Sequence, residues 1–342
     1  MIYGISRLFR DSISKNTVNN YVKEQNKNIV RLDLVSNPLG PPKNILEFLK
    51  SINVDDLSNY PDRKLLWELK QRLAIQNNVN PENILVTAGA DQAIEIVLTH
   101  VLNPGDKIGI QVPTFPRFEI VAKKLCNAEI KLFSSLENTP DSKIIMLCTP
   151  NNPTTEEIEE CKLRETIKTN QDKLFVIDAV FSDFGTWNPS KLVKEFRNVI
   201  IIKSFSKSFG IPGARIGFIV SNNEIISILK QGISPFLVST ISQKIAIQCL
   251  DELEHIEKTK EFIDKEFKNI ISELGINAIR KSNVPFFIFK LQDSIKIKRK
   301  LKEKGISVIT EKHFNSSEKF IRVAIGERWQ NNLFIKTIKE IL

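Results

Sequence analysis

The stretch NVIIIKSFSKSFGIPGARIGFIV, residues 198–220, holds two apolar runs on either side of a hydroxyl-rich turn centred on Lys207. Val199 to Lys203 and Ile216 to Val220 are short, rich in Val and Ile, and bounded by polar or turn residues, which predicts buried strands. The same pattern recurs upstream at Ile84 to Thr87, Ile108 to Val112, Ile144 to Cys148 and Leu174 to Asp178. Between the runs lie segments with apolar residues at helical spacing, such as Asp91 to Val101. Strand, helix, strand in this order predicts an α/β domain with a largely parallel sheet covered on both faces.

From about Ser239 the pattern changes. The stretch IAIQCLDELEHIEKTKEFIDKEFKNIISELG reads as one long amphipathic segment that stops at Gly275, a C-terminal cap. The strand-like runs FFIFKL, ISVIT and FIRVAIG follow, separated by lysine-rich helices. That predicts a smaller α+β domain over 236–342, beside a large domain over 36–235. The polar segment 1–35 is expected to pack with the smaller domain.

Composition removes several classes of function. The four cysteines show no CxxC pairing and the three histidines are scattered, so no metal site is expected. The net charge of +9 comes from lysines interleaved with acids, as in EFIDKEFKNIISE, which argues against a nucleic-acid partner. No apolar run is long enough to span a bilayer, and the first residues lack the apolar core of a secretory signal. No membrane partner and a cytoplasmic location are therefore expected.

Open parallel sheets bind ligands beyond the carboxyl ends of their strands. The residues placed there are Gly89-Ala90-Asp91, Pro113-Thr114-Phe115, Pro150 to Thr154, Asp178 and Ser204 to Lys207. Taken singly each has an ordinary reading, as a helix cap, a turn or a solvated charge. Together they meet the needs of pyridoxal 5′-phosphate (PLP). A helix opening at Ala90 and Asp91, with Ser204, Ser206 and Arg215, would seat a phosphate. Phe115 would stack on a ring, Asp178 would hold a protonated ring nitrogen, and Asn152 would face a phenolic oxygen. A desolvated Lys207 near cationic groups would have a depressed pKa and carry the cofactor as a Schiff base.

The segment SFSKSFGIPGARIGF, with TPNNPT and Asp178 upstream at family spacing, resembles the PLP enzymes of fold type I. NPLGPP, residues 37–42, and YPD, residues 60–62, are similar to the histidinol-phosphate aminotransferase branch and to its relative, threonine-phosphate decarboxylase. The resemblance runs from about residue 30 to 342. It implies a seven-stranded, mostly parallel sheet between helices, with a smaller α+β domain. It also implies that Lys207 shuttles the catalytic proton and that Arg322 in FIRVAIG grips the substrate, near Asn37 and Gly40. Tyr60 matches a tyrosine that reaches the neighbouring subunit's phosphate site, so a homodimer with shared sites is implied. The implied substrates are an amino donor, with L-histidinol phosphate the first choice, and 2-oxoglutarate.

The chain departs from its relatives at three places. Asp178-Ala179-Val180-Phe181 replaces Asp-Glu-Ala-Tyr, which removes a phenolic hydroxyl and predicts a raised pKa for the lysine–cofactor linkage. Thr155 stands where a glycine is usual, and Phe115 where the aromatic is usually tyrosine. Decarboxylation of threonine phosphate and a broad-range or aromatic transamination remain open, as does an inactive binding protein on the same fold. Arg7, Arg10 and Arg117 are candidates, by charge alone, for a substrate phosphate.

Overall fold

The computed structural model describes residues 28–342. Arg7, Arg10 and most of the expected N-terminal segment lie outside the described residues.

The large sheet is built from β-strands that begin after a short N-terminal strand β1 (Val30–Arg31). They are β2 (Ile84–Thr87), β3 (Lys107–Gln111), β4 (Glu129–Phe133), β5 (Ile144–Cys148), β6 (Leu174–Asp178), β7 (Val199–Ser204) and β8 (Gly217–Ser221). Their spatial order is β2-β8-β7-β6-β5-β3-β4. β8 runs antiparallel to both neighbours, and the other pairs are parallel. The strands from Ile144 to Cys148 and from Val199 to Ser204 are buried throughout, as both faces of the sheet are covered. β4 is absent from the sequence expectation. Its residues Glu129 and Leu132 are exposed at the sheet edge, so the run EIKLF lacks the continuous apolar signal of its neighbours.

Two helices mark the faces that matter for the site. Helix α1 (Ala90–Val101) follows β2 and buries Ala93, Ile94 and Val97 against the sheet. Helix α2 (Thr240–Leu250) buries Ile245, Ala246 and Ile247 in the core on the other face, with Leu69 and Leu73. The long amphipathic stretch is therefore not one helix. It breaks after Leu250 and resumes as α3 (Glu254–Leu274), ending at Gly275 with φ of +72° as expected. The break separates two faces: α2 packs on the large sheet and α3 on the second.

The second sheet has the order β12-β13-β10-β9 and is antiparallel throughout. Its strands are β9 (Ala278–Ile279), β10 (Phe286–Lys290), β12 (Ile309–Thr310) and β13 (Phe320–Ala324). The run ISVIT is split at Val308, with its first half forming β11 (Ile306–Ser307), which pairs with β1. Phe267, Phe287 and Phe334 centre the apolar core of this lobe, and Leu32, Val35, Phe181 and Phe184 join it. The segment before the large lobe is thus a strap across both. Phe181 packs edge-on against Phe286 with ring centroids 5.2 Å apart, so its ring is taken up by the second core.

Candidate active site

The carboxyl ends of β2, β3, β5, β6 and β7 lie at one edge of the large sheet, because these strands are mutually parallel. β8 is antiparallel, so its beginning lies at that same edge, and Arg215 just before it is carried there. Ala90, Asp91, Phe115, Asn152, Asp178, Ser204, Ser206, Lys207, Arg215 and Arg322 line one cavity of about 280 Å³ between the lobes. Its far wall is formed by Ile309, His313 and Phe314, and its entrance strap by Asp33 to Val35. Sequence reasoning missed these wall residues. No local motif marks them, and they reach the cavity only through the docking of the second lobe.

The turn between β2 and α1 leaves backbone donors at the cavity edge. Gly89 caps α1 with φ of +86°, which frees the first N–H groups of the helix toward the cavity edge. A Cβ on Gly89 would stand 2.7 Å from Arg215 Nη2, so the guanidinium lies directly over this turn. Gly217 is equally constrained, as a Cβ there would meet Gly89 C and Lys203 O at 2.8 Å. Arg215 also donates to Ala88 O at 3.3 Å and lies 3.8 Å from an Asp91 carboxylate oxygen. Ser204 caps the turn that carries the lysine, accepting from Ser206 N at 3.1 Å and donating to Ser206 Oγ at 3.0 Å.

Asp178 and Lys207 share the cavity, and burial is the largest influence on both. Burial pushes the Asp178 carboxyl up to about 7, against a 3.0 Å hydrogen bond from Val180 N that favours its charged form. Burial likewise pushes Lys207 down to about 8, and the nearby Arg322 charge adds to the effect. The Lys207 amine is thus brought toward neutrality, as a nucleophile and proton carrier needs. Below the carboxyl lies Cys148, whose thiol is held well above its usual range by burial and by Asp178.

Arg322 is buried at 3 % exposure on β13. It donates to Asn152 Oδ1 at 3.3 Å and to the carbonyl of Asp33, while its Nε has no hydrogen-bond partner. Phe286 and Phe314 flank the guanidinium at 5.6 and 5.9 Å. Burial lowers its pKa to about 10, which still leaves it cationic at neutral pH. A buried cation with an unused donor is a site for an anionic group.

Three expected residues lie outside the cavity. Asn37 donates to Ser208 O at 2.8 Å and Thr259 Oγ1 at 3.1 Å, so its amide ties the strap to the lysine turn and to α3. Gly40 offers its carbonyl to His255 Nε2 at 3.0 Å. Tyr60 is 79 % exposed and stacks on Phe236 at 4.6 Å. Arg117 also stands outside the cavity, paired with Glu95 and 3.9 Å from Asp91.

The family model of the class I and II aminotransferases matches residues 27–338. The chain belongs to that family. It is 32% identical to a histidinol-phosphate aminotransferase of Caldicellulosiruptor saccharolyticus, over 92% of either chain. The solved histidinol-phosphate aminotransferase of Clostridium acetobutylicum superposes with a TM-score of 0.81 at 26% identity, covering 92% of this chain and 99% of that one. The L-threonine-O-3-phosphate decarboxylase of Porphyromonas gingivalis has a TM-score of 0.78 at 23% identity, with coverage of 92% and 99%, a likeness of fold.

This aminotransferase is PLP-dependent, as its family is. The residues present fit the cofactor. The Asp178 carboxyl is raised by burial in the cavity, and a pyridinium N–H there would favour its charged form. The Gly89 turn lets Arg215 close over an anion where any side chain would intrude.

Proposed function

We propose that the aminotransferase moves the amino group of L-histidinol phosphate to 2-oxoglutarate. The observation that carries the donor is the 32% identity, spanning 92% of both chains, with a protein named for that reaction. The site chemistry is consistent with it: an anionic end of the donor would meet the unpartnered Nε of Arg322.

PLP supplies an aldehyde that captures an amine and a ring that withdraws electrons from the donor's Cα. Lys207 would hold it and then move a proton between that Cα and C4′. Asp178 would keep the ring nitrogen protonated, and Asn152 would bond the phenolic oxygen. Phe115 would cover a ring face, while the amides of Ala90 and Asp91, the Ser204 and Ser206 hydroxyls and Arg215 would take the phosphate. The apolar wall of Ile309 and Phe314 would exclude water from the donor.

A homodimer is part of the same reading. Val54, Leu57, Tyr60 and Phe236 are exposed large apolar residues, and a second copy would cover them. Tyr60 would then reach the partner's phosphate seat. Free cysteines, three of them buried, suit a reducing cytoplasm.

The test is a donor screen on the PLP-loaded enzyme with 2-oxoglutarate as acceptor. Glutamate formation from histidinol phosphate, exceeding that from phenylalanine or threonine phosphate, is expected. Release of CO2 from threonine phosphate without any oxo acid would replace this reading with the decarboxylase.

A further inference from the structure

Thr155 occupies a backbone conformation that its own side chain disfavours. Its φ is +62°, a region that a β-branched residue rarely enters, and it is fully buried. The turn around it closes locally, with Thr155 N donating to Asn151 O at 2.8 Å and Asn151 N donating to Glu156 O at 2.7 Å. A glycine would adopt this geometry without strain. The threonine brings something glycine lacks, namely a hydroxyl directed at the other lobe.

That hydroxyl accepts a 2.8 Å hydrogen bond from the main-chain N–H of Lys281, 126 residues away. The Thr155 carbonyl accepts from Ser282 Oγ, and the Glu156 carboxylate pairs with the Lys281 ammonium. Lys281 and Ser282 lead into β10, which pairs with β13 so that Ile288 lies opposite Arg322. Three residues before Thr155, Asn152 accepts from Arg322 at 3.3 Å. The turn therefore touches the second lobe at two points, and the path between them runs through the strand that carries Arg322.

We propose that Thr155 is a positioning residue that clamps the 151–156 turn to the second lobe, so that Asn152 and Arg322 stay in contact and the guanidinium is held for the substrate's anionic end. Without the hydroxyl, the Lys281 N–H loses its partner at a part-buried contact, and only the Ser282 and Lys281 side chains still tie the turn to the segment before β10. Arg322 would then have to be repositioned with each substrate that binds. That weakens binding of ground state and transition state alike.

The experiment compares Thr155→Val, which keeps the branched shape but removes the acceptor, with Thr155→Ser, which keeps the acceptor. Kinetics with histidinol phosphate and 2-oxoglutarate rest on the donor reading above, so exchange of the Lys281 amide with solvent is measured alongside. Thr155→Val is expected to raise KM for both substrates about tenfold, with kcat within about threefold. The serine variant is expected to stay within about twofold of the parent in both. The Lys281 amide should exchange faster in the valine variant only. Ser282→Ala, at a half-buried position, serves if the valine variant does not fold, and should raise KM in the same direction. A valine or alanine variant with parental KM, differing only in melting temperature, overturns the clamp. So does a serine variant as impaired as the valine one. If the parent leaves histidinol phosphate untouched, the donor reading falls, and the exchange rates still decide the clamp.

Discussion

The Lys207 Nζ donates a 2.6 Å hydrogen bond to the main-chain carbonyl of Val35, 172 residues earlier in the chain. The residue that would carry the chemistry is therefore held by the strap that joins the lobes. Val35 itself is buried in the core of the second lobe, so the amine is located by both halves of the molecule. The Phe181 ring centroid lies 6.0 Å from the amine.

Replacing Lys207 by alanine should lower kcat by about 10²- to 10⁴-fold, the usual worth of a positioned proton carrier. The variant should still bind PLP through the phosphate seat. Borohydride should fix cofactor to the parent chain and not to the variant, as mass spectrometry would read. Cofactor fixed to the variant at the parental level would remove Lys207 from its assigned role.

The two buried charges give the cofactor-free protein a defined pH dependence. The folded Asp178 carboxyl titrates at about 7 instead of 3.8, so between those values the folded state holds a proton that the unfolded chain has lost. Stability should fall as pH rises through that window. Lys207 titrates at about 8 instead of 10.5, so there the unfolded chain holds the extra proton and stability should rise across that window. Each slope amounts to a few kcal/mol at most. Denaturant melts against pH should show the first slope removed by Asp178→Asn and the second by Lys207→Met. Unaltered slopes would mean that other groups dominate.

Gly89→Ala tests the anion seat. The strain of a side chain at φ of +86° should cost about 1–3 kcal/mol of stability. The new methyl, 2.7 Å from Arg215 Nη2, should push the guanidinium off the turn. PLP affinity should fall about tenfold or more, as for a lost charge-assisted contact. Arg215→Ala should reproduce the loss of affinity without the loss of stability. Parental PLP binding in both variants, measured by fluorescence titration, would place the phosphate elsewhere.

Phe181→Tyr should restore a hydroxyl beside the lysine end of the cavity. In the PLP-loaded enzyme, the pH midpoint of the visible absorption band should drop by about one unit, the equivalent of one hydrogen bond to the charged form. The tyrosine must keep the edge-on contact with Phe286, so thermal stability should change little. An unmoved midpoint would mean that the hydroxyl is directed away from the cofactor.

Substitution of Arg322 by lysine should be nearly as harmful as substitution by glutamine. An ammonium cannot span Asn152, the Asp33 carbonyl and a substrate anion at once. A fall in kcat/KM of about 10²-fold is expected for either, equivalent to about 3 kcal/mol. A lysine variant with full activity would show that charge alone suffices.

The chain's own pattern determined the strands, and with them the residues at the carboxyl ends. Apolar runs at Ile144 to Cys148 and Leu174 to Asp178 are local signals, and the residue that ends each run is fixed by the run itself. Asp178 was legible for that reason, and Asn152 and Lys207 because each follows a run within a few residues. Tertiary structure alone decided the rest. Docking of the second lobe supplied His313, Phe314 and the Val35 carbonyl, and the reversal of β8 is why Arg215, expected from its spacing to Lys207, reaches the same edge. Asn37, readable as a substrate contact, is instead consumed by Ser208 and Thr259. Strand direction, main-chain acceptors and partners more than a hundred residues distant leave no trace in side-chain periodicity. They are set by which backbone groups remain to be satisfied once the lobes meet.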